Sequence, residues 1–246
     1  MRIPFLAAGG RFPPASRALR EPSGLLAAGG DLTVTTLVEA YTHGIFPWFS
    51  DGDPILWWSP DPRMVLPTAE IHLSRSLRRR LRRRDFRVSF DEAFEEVLQA
   101  CAEPREPGGG TWLVPEMQAA YADMRDAGLA HSVEVWMNGA LAGGLYGVGI
   151  GRMFFGESMF SRRTDGSKIA IAYLAAQMAA WGMPLIDCQM ATGHLESLGA
   201  RLVPRRVFLE WVARLCAEPG PEDWRFDEGL DPSALPARAS EESASS

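Results

Sequence analysis

Lysine is almost missing from this chain: Lys168 is the only one among 25 basic residues, and the rest are arginine. Replacement on that scale reads as genomic codon bias, and the single survivor hints at a place where a guanidinium would not serve. Cysteine is scarce as well. Cys101, Cys188 and Cys216 lie far apart, which argues against a disulfide framework and against a cysteine-based zinc site. The four histidines are scattered without HExxH or other i, i+4 ligand spacing, so no metal is expected. No apolar run reaches the length of a membrane span, and the N-terminus lacks the pattern of a secretory signal. Cytoplasm is therefore the expected compartment. No GxxxxGK[ST] or GxGxxG stretch follows a strand pattern, which removes support for nucleotide hydrolysis and dinucleotide binding. Neither Ser158 nor Ser161 sits in a strained turn of the kind that presents a nucleophilic serine. There is no internal repeat.

What is present is an ordinary globular composition. With 246 residues, 46% of them hydrophobic, the chain can bury a full core as one domain with an appendage or as two small domains. The net charge of −6 is misleading as an average, because residues 218–246 hold eight acidic and two basic side chains. The remaining 217 residues carry 23 of each sign. Any affinity for a polyanion must then come from local clustering. One such cluster exists. Residues 75–84 place seven arginines in ten positions, with Leu73, Leu77 and Leu81 at i, i+4, i+8. The spacing predicts a helix with one apolar stripe and cations on its other faces, and unrelieved positive charge on a folded helix favours phosphate binding over a merely solvated surface.

The N-terminal part is rich in proline, glycine and aromatics, a composition that makes turns. A helix follows, capped by Asp31 or Thr33 and stopped by Gly44. Phe46, Trp48, Phe49, Trp57 and Trp58 then crowd into one short segment. They form either a local core for a module short of apolar residues or a stacking platform for nucleobases. Asp91 is expected to cap a helix through Cys101, and Pro115 to open another through Asp126. Alternating strands are expected over 131–137, 141–150 and 152–160, with Asn138-Gly139 as a hairpin turn. The glycines inside the second strand mark a bulge or a close approach to the backbone. A strongly apolar helix over 168–181 follows, with Ser167 and Lys168 at an N-terminus that could seat a phosphate or carboxylate. A short helix near 194–198, a strand over 201–203 and a helix over 205–216 complete the pattern. The acidic, Pro- and Ser-rich remainder is expected to be a disordered extension.

Leu185-Ile186-Asp187-Cys188-Gln189-Met190 reads as a buried strand carrying an acid and an amide. Strand parity directs Asp187 and Gln189 to the same side, and a buried carboxylate without partners is costly. They form either a satisfied structural pair or a reactive one. Glu157, in Phe154-Phe155-Gly156-Glu157-Ser158-Met159-Phe160, is a second acid in apolar surroundings. Its partner is Arg152, Arg162 or a basic substrate group. On these residues alone an acyl- or aminoacyl-transfer site and a non-catalytic RNA-binding module both stay open.

Several segments together resemble one family, the leucyl/phenylalanyl-tRNA–protein transferases. They are Gly24-Leu25-Leu26-Ala27 to Asp31-Leu32, Ala40-Tyr41 to Phe49, Leu56 to Arg63, Gly110-Thr111-Trp112, His131-Ser132-Val133-Glu134, Gly143 to Gly147, Gly156 to Ser161, Ser167-Lys168, Leu185 to Gln189 and Leu198-Gly199-Ala200. The match runs in order from about residue 12 to about residue 208. The resemblance implies an α+β fold: a small N-terminal α/β domain over 1–63, then a larger acetyltransferase-like (GNAT) domain over 64–217 with a mixed sheet flanked by helices. It leaves 218–246 as the acidic tail. It also implies transfer of leucine or phenylalanine, with methionine as a further candidate, from aminoacyl-tRNA to proteins with an N-terminal Arg or Lys, marking them for degradation. The enzyme would be a monomer needing no cofactor.

By matching position, Asp187 and Gln189 fall on the family's catalytic pair and Glu157 on the acid that receives the acceptor. Tyr41, Phe46, Trp48 and Trp112 fall where the terminal adenosine is held. Leu145, Phe154, Ile171 and Met178 fall around the pocket for the transferred side chain. Arg75, Arg78, Arg79, Arg82, Arg83 and Lys168 are the expected contacts to tRNA phosphates. The donor ester is already activated, so the remaining task is to place a neutral amine on the carbonyl and handle its proton. Asp187 is expected to orient Gln189, and Gln189 to hydrogen-bond the amine. An apolar pocket separates side chains by only about 1–3 kcal/mol per methylene, which suits a family with more than one donor. Two departures stand out. Thr192-Gly193 replaces the Asn and acid of well-known members, so a polar contact to the donor is expected to change, and the tail exceeds the family core and is expected to be dispensable. An acyl-CoA-dependent N-acyltransferase of the same fold is the alternative, but 161–167 offers one glycine where a pyrophosphate loop would want several.

Overall fold

A computed structural model of the chain describes residues 3–104, 111 and 113–235. The N-terminal part folds into a four-stranded sheet with one helix. In chain order it comprises β1 (Phe5–Leu6), β2 (Leu25–Gly29), α1 (Val34–Thr42), β3 (Phe46–Pro47) and β4 (Leu56–Trp58), with strand order β1-β2-β4-β3. Thr33 caps α1 by accepting the Thr36 N–H. Asp31 in turn accepts from Thr33 Oγ1, Thr36 Oγ1 and the Gly9 N–H, and those donors hold its carboxyl down at about 2.

The chain continues with β5 (Arg63–Pro67) and α2 (Arg75–Arg83), then β6 (Arg87–Phe90), α3 (Phe94–Ala102) and α4 (Pro115–Asp126). A meander of β7 (Ala130–Met137), β8 (Ala140–Ile150) and β9 (Met153–Ser161) follows. The chain then continues through α5 (Gly166–Ala180), β10 (Leu185–Gln189), α6 (Gly193–Ser197), β11 (Arg201–Val203) and α7 (Arg205–Leu215). These strands form a seven-stranded sheet in the order β11-β5-β10-β9-β8-β7-β6. Its pairs are antiparallel except β9 with β10, which makes the expected mixed sheet flanked by helices. The β7–β8 turn uses Asn138 and Gly139, both at positive φ, as a two-residue hairpin requires. One sheet face packs with α1, α3, α4 and α7, and the other with α2 and α5. Helix α5 is buried almost all round, the pattern of a helix enclosed on every side. No helix among the described residues is long and apolar enough to cross a membrane.

Two expectations need correction. Asp91 does not cap α3, because Ala93 holds that position. Asp91 sits at φ 56° and turns its carboxylate to the Ser132 N–H at 2.6 Å and the His131 ring at 2.7 Å, so it ties the start of α3 to β7. The tail, in turn, is ordered as far as Leu235. Trp224 stacks on His131 with ring centroids 3.8 Å apart, and Phe226 stacks on Phe90 at 4.8 Å. Gly149 makes the first stack possible, since a Cβ there would lie 2.4 Å from the indole of Trp224. Further along, Gln177 Oε1 accepts the Asp227 N–H at 2.8 Å, and Arg78 donates to the carbonyls of Ser233 and Leu235 at 2.7 and 2.8 Å. Average composition hides this, because two rings in an acidic segment supply the buried area. Residues 236–246 lie outside the described part.

Ending the chain at Cys216 is therefore expected to lower stability by about 2–4 kcal/mol, the scale of losing two packed rings. Thermal unfolding would register this as a melting point lower by several degrees. A chain ending at Leu235 should melt like the full one, and equal melting of all three would show the strap to be energetically idle.

Candidate active site

The site forms where β9 and β10 stop pairing. Their parallel register runs Leu185 with Met153, Ile186 with Phe154 and Asp187 with Phe155, and goes no further. At that point each strand carries one residue more than its antiparallel neighbour. Glu157 is unopposed between the Tyr146–Ser158 and Gly147–Gly156 pairs, and Cys188 between Asp187–Val65 and Gln189–Met64. Such bulges bend a strand and re-aim its side chains. Gln189 accordingly sits at φ 62°. The parted strands leave a cleft of ≈ 560 Å³ whose lining includes Glu157, Gln189, Tyr146, Leu145 and Trp48.

Asp187 does not line this cleft. It is fully buried and forms a two-pronged ion pair with Arg63, whose Nε donates to Oδ1 at 2.8 Å and Nη2 to Oδ2 at 2.6 Å. Arg63 is itself fully buried, with its guanidinium between the rings of Phe46 and Phe208 at 4.7 and 4.6 Å. Its Nη1 also donates to the Gly44 carbonyl at 3.3 Å. Asp187 Oδ1 accepts the backbone N–H of Gln189 at 3.0 Å. The acid thus holds the left-handed turn that aims Gln189, rather than standing beside it in the cleft as plain alternation predicts. Arg63 carries no role that its sequence neighbourhood reveals. Its one signal is a lone arginine entering an apolar strand between Pro62 and Pro67.

Glu157 is the hub of the cleft floor. Its Oε1 accepts Tyr41 Oη at 2.9 Å and Gln189 Nε2 at 2.8 Å, and its Oε2 accepts Tyr121 Oη at 2.5 Å. The two phenols also touch each other at 2.9 Å. Arg152 and Arg162, the expected partners, are engaged elsewhere, with Glu218 and Glu103. Burial pushes Glu157 up to about 7, with the Tyr121 and Tyr41 hydroxyls pulling down and Asp187 adding to the rise. The same burial keeps Tyr41 and Tyr121 protonated. Two phenol protons serve three oxygen-to-oxygen contacts, so the ring of Glu157, Tyr41 and Tyr121 can take one proton and close all three as hydrogen bonds. Tyr121, like Arg63, has no sequence signal beyond lying in an amphipathic helix.

The other expected residues divide. Leu145, Phe154 and Ile171 line the apolar half of the cleft, joined by Leu174, Ile186 and Leu195. Met178 lies further along α5, fully buried in the core, and does not reach it. Trp48 stands at the rim, 37% exposed, braced edge-on by Trp58 at 5.5 Å. Tyr41 and Phe46 are buried beneath, each with the partner described above, and Trp112 lies outside the described residues. On α2, Arg75, Arg79, Arg82 and Arg83 are exposed, whereas Arg78 is turned to the tail. Lys168, in the first turn of α5, is partly exposed and 4.0 Å from Asp165. Thr192 lines the cleft and caps α6 by accepting the Leu195 N–H at 3.3 Å.

Comparison with known proteins gives a consistent picture. Residues 65–213 match the family model described as leucyl/phenylalanyl-tRNA protein transferase, and residues 30–61 match the model of that family's N-terminal domain. Among curated relatives, the leucyl/phenylalanyl-tRNA–protein transferase of Nitrosomonas europaea is 58% identical over 88% of this chain and 92% of its own length. Those of Aromatoleum aromaticum and Thiobacillus denitrificans are 55% and 56% identical, over 93% and 92% of this chain and 97% and 100% of theirs.

Proposed function

The chain belongs to the leucyl/phenylalanyl-tRNA–protein transferase family, and from that premise we propose that it moves leucine or phenylalanine from aminoacyl-tRNA to the N-terminal Arg or Lys of a protein. The product would carry a large apolar N-terminal residue that marks it for degradation, and the work would be done in the cytoplasm, where charged tRNA is found. The observation that carries this reading is the two-sided cleft between β9 and β10. One wall is apolar, with Leu145, Phe154 and Ile171, and the other holds the carboxylate of Glu157. An apolar donor side chain fits the first and a cationic acceptor the second. The parting of a parallel strand pair around a cleft also supports an acetyltransferase-like plan for the larger domain.

In the step itself the acceptor's neutral α-amine attacks the ester carbonyl. A C–N bond forms, the C–O bond to the ribose breaks, and the proton lost by nitrogen ends on the departing ribose oxygen. Gln189 commits its Nε2 to Glu157, which leaves its Oε1 to accept a hydrogen bond from the amine and fix the line of attack. An amide is too weak a base to keep the proton, so the ribose hydroxyl shares in its transfer. Trp48 at the rim is the ring available to stack on the terminal adenine.

The test is transfer of labelled leucine from Leu-tRNA to peptides that differ only in their first residue. Peptides beginning with Arg or Lys should be labelled, and those beginning with Ala or Glu should not. Label appearing on all four alike would defeat the proposed acceptor rule.

The basic helix gives a separate prediction. Replacing Arg75, Arg79, Arg82 and Arg83 with serine is expected to weaken tRNA binding and to flatten its salt dependence, the slope of log K against log salt falling by about 0.7–1 for each phosphate no longer neutralised. A slope unchanged from the parent would remove α2 from the tRNA interface.

A further inference from the structure

One hydroxyl in the cleft is left idle by the site described above. Tyr146 is fully buried in the middle of β8, its ring edge-on to Tyr121 at 5.1 Å and to Phe94 at 6.1 Å. Tyr146 is among the residues that line the cleft, yet among the described residues its Oη has no hydrogen-bond partner. The neighbouring phenols of Tyr41 and Tyr121 are spent on each other and on Glu157. An unsatisfied buried hydroxyl destabilises a fold. Phenylalanine would fill the same volume without that penalty, so the oxygen calls for a ligand.

The wall around it identifies the ligand's chemistry. Strand parity sets Tyr146 on the sheet face opposite Leu145, away from the apolar half of the cleft. Two carboxylates, Glu157 and Glu103, line the cleft with the hydroxyls of Thr111, Ser158 and Thr192 and the Gln189 amide, and no arginine or lysine is among its described lining residues. Thr111 already accepts the Leu113 N–H. Glu103 itself is paired with Arg162. What such a wall lacks is a donor-rich positive group. We propose that the Tyr146 hydroxyl is a specificity-determining contact that accepts a hydrogen bond from the guanidinium or ammonium of the acceptor protein's first side chain while Glu157 supplies the opposing charge. This rests on the acceptor rule proposed above and adds a second residue to it.

Steady-state transfer from Leu-tRNA to an Arg-starting peptide by the wild-type chain and by Tyr146→Phe tests the assignment. The expected result is a rise of about tenfold in the KM for the peptide, the scale of one hydrogen bond to a charged group. Turnover at saturation should stay within about twofold and the KM for Leu-tRNA should not move, because binding shared by ground and transition states shows in KM alone. The melting point should be unchanged or higher, which a purely structural hydroxyl would not give. An unchanged peptide KM in an active variant would overturn the role of Tyr146, as would an altered preference between Leu-tRNA and Phe-tRNA. Absence of transfer by the wild-type chain would instead overturn the functional reading on which it rests.

Discussion

Replacing Arg63 by alanine is expected to lower stability by about 3–5 kcal/mol, the usual consequence of leaving one partner of a buried ion pair alone, and to reduce transfer below detection. Asp187 is fully buried and receives two of its hydrogen bonds from that guanidinium. Alone it would either carry an uncompensated charge or take up a proton and release the Gln189 N–H. The loss would also spread outward. Arg63 is the bolt between the N-terminal sheet, through Gly44 and Phe46, the seven-stranded sheet, through Asp187, and α7, through Phe208. A second variant separates stability from chemistry. Arg63→Met combined with Asp187→Leu replaces the pair by apolar groups, and such swaps are often neutral or stabilising by about 1–4 kcal/mol. Urea unfolding should find this double variant close to wild type, yet transfer should stay lost because nothing then holds the turn at Gln189. A double variant that transfers normally would reduce the pair to a scaffold element.

The second large effect is expected at Glu157. Glu157→Gln should raise the KM for an Arg-starting peptide about 100-fold, since removing one partner of a buried hydrogen-bonded charge pair costs at least about 2–5 kcal/mol. The pH dependence follows from the pKa near 7. Above it the group is ionised and offers its charge to the acceptor. Below it the proton closes the ring with Tyr41 and Tyr121 and the charge is gone, so peptide affinity should fall as pH drops through about 7. Stability should move the other way. A carboxyl whose folded pKa lies above its unfolded value binds more protons in the folded state, so its contribution grows as pH falls from about 7 toward its ordinary value of 4.5 and is absent above 7. Protonation of the acceptor amine, at about 7.7–8, adds its own limb to the rate profile. Comparison with Glu157→Gln isolates the carboxylate, because the variant should keep the amine limb and lose the one near 7. A profile identical to wild type would mean that Glu157 is not the charge that meets the acceptor.

Legibility differs sharply between elements. The meander β7 to β9 is plain because its strands are long enough for a period to show and Asn138-Gly139 marks the hairpin, α5 because it is a long unbroken apolar run, and β10 because an acid and an amide stand out in its apolar run. Strands β2, β4, β5 and β6 are not, since three to five residues bounded by Pro, Gly or charge have no period to read. The candidate site is legible by residue type and resemblance but not by geometry. Parity assumes no extra residue, and both Glu157 and Cys188 are extra in their ladders. Arg63 cannot be matched to Asp187 from sequence, because the two are 124 positions apart and meet only where β5 pairs with β10. Likewise the glycines of β8 announce a close approach without saying to what. Gly149 faces Trp224 of the tail, and Gly143 lies against Gly166 at the start of α5.

The most direct test of the account is transfer of labelled leucine from Leu-tRNA to an Arg-starting peptide by the wild-type chain beside Asp187→Ala and Glu157→Ala. The cleft geometry predicts rapid labelling by the first, with both variants reduced at least about 100-fold, the scale seen when an organised catalytic group is removed. No transfer by any of the three, or equal transfer by all, would contradict it.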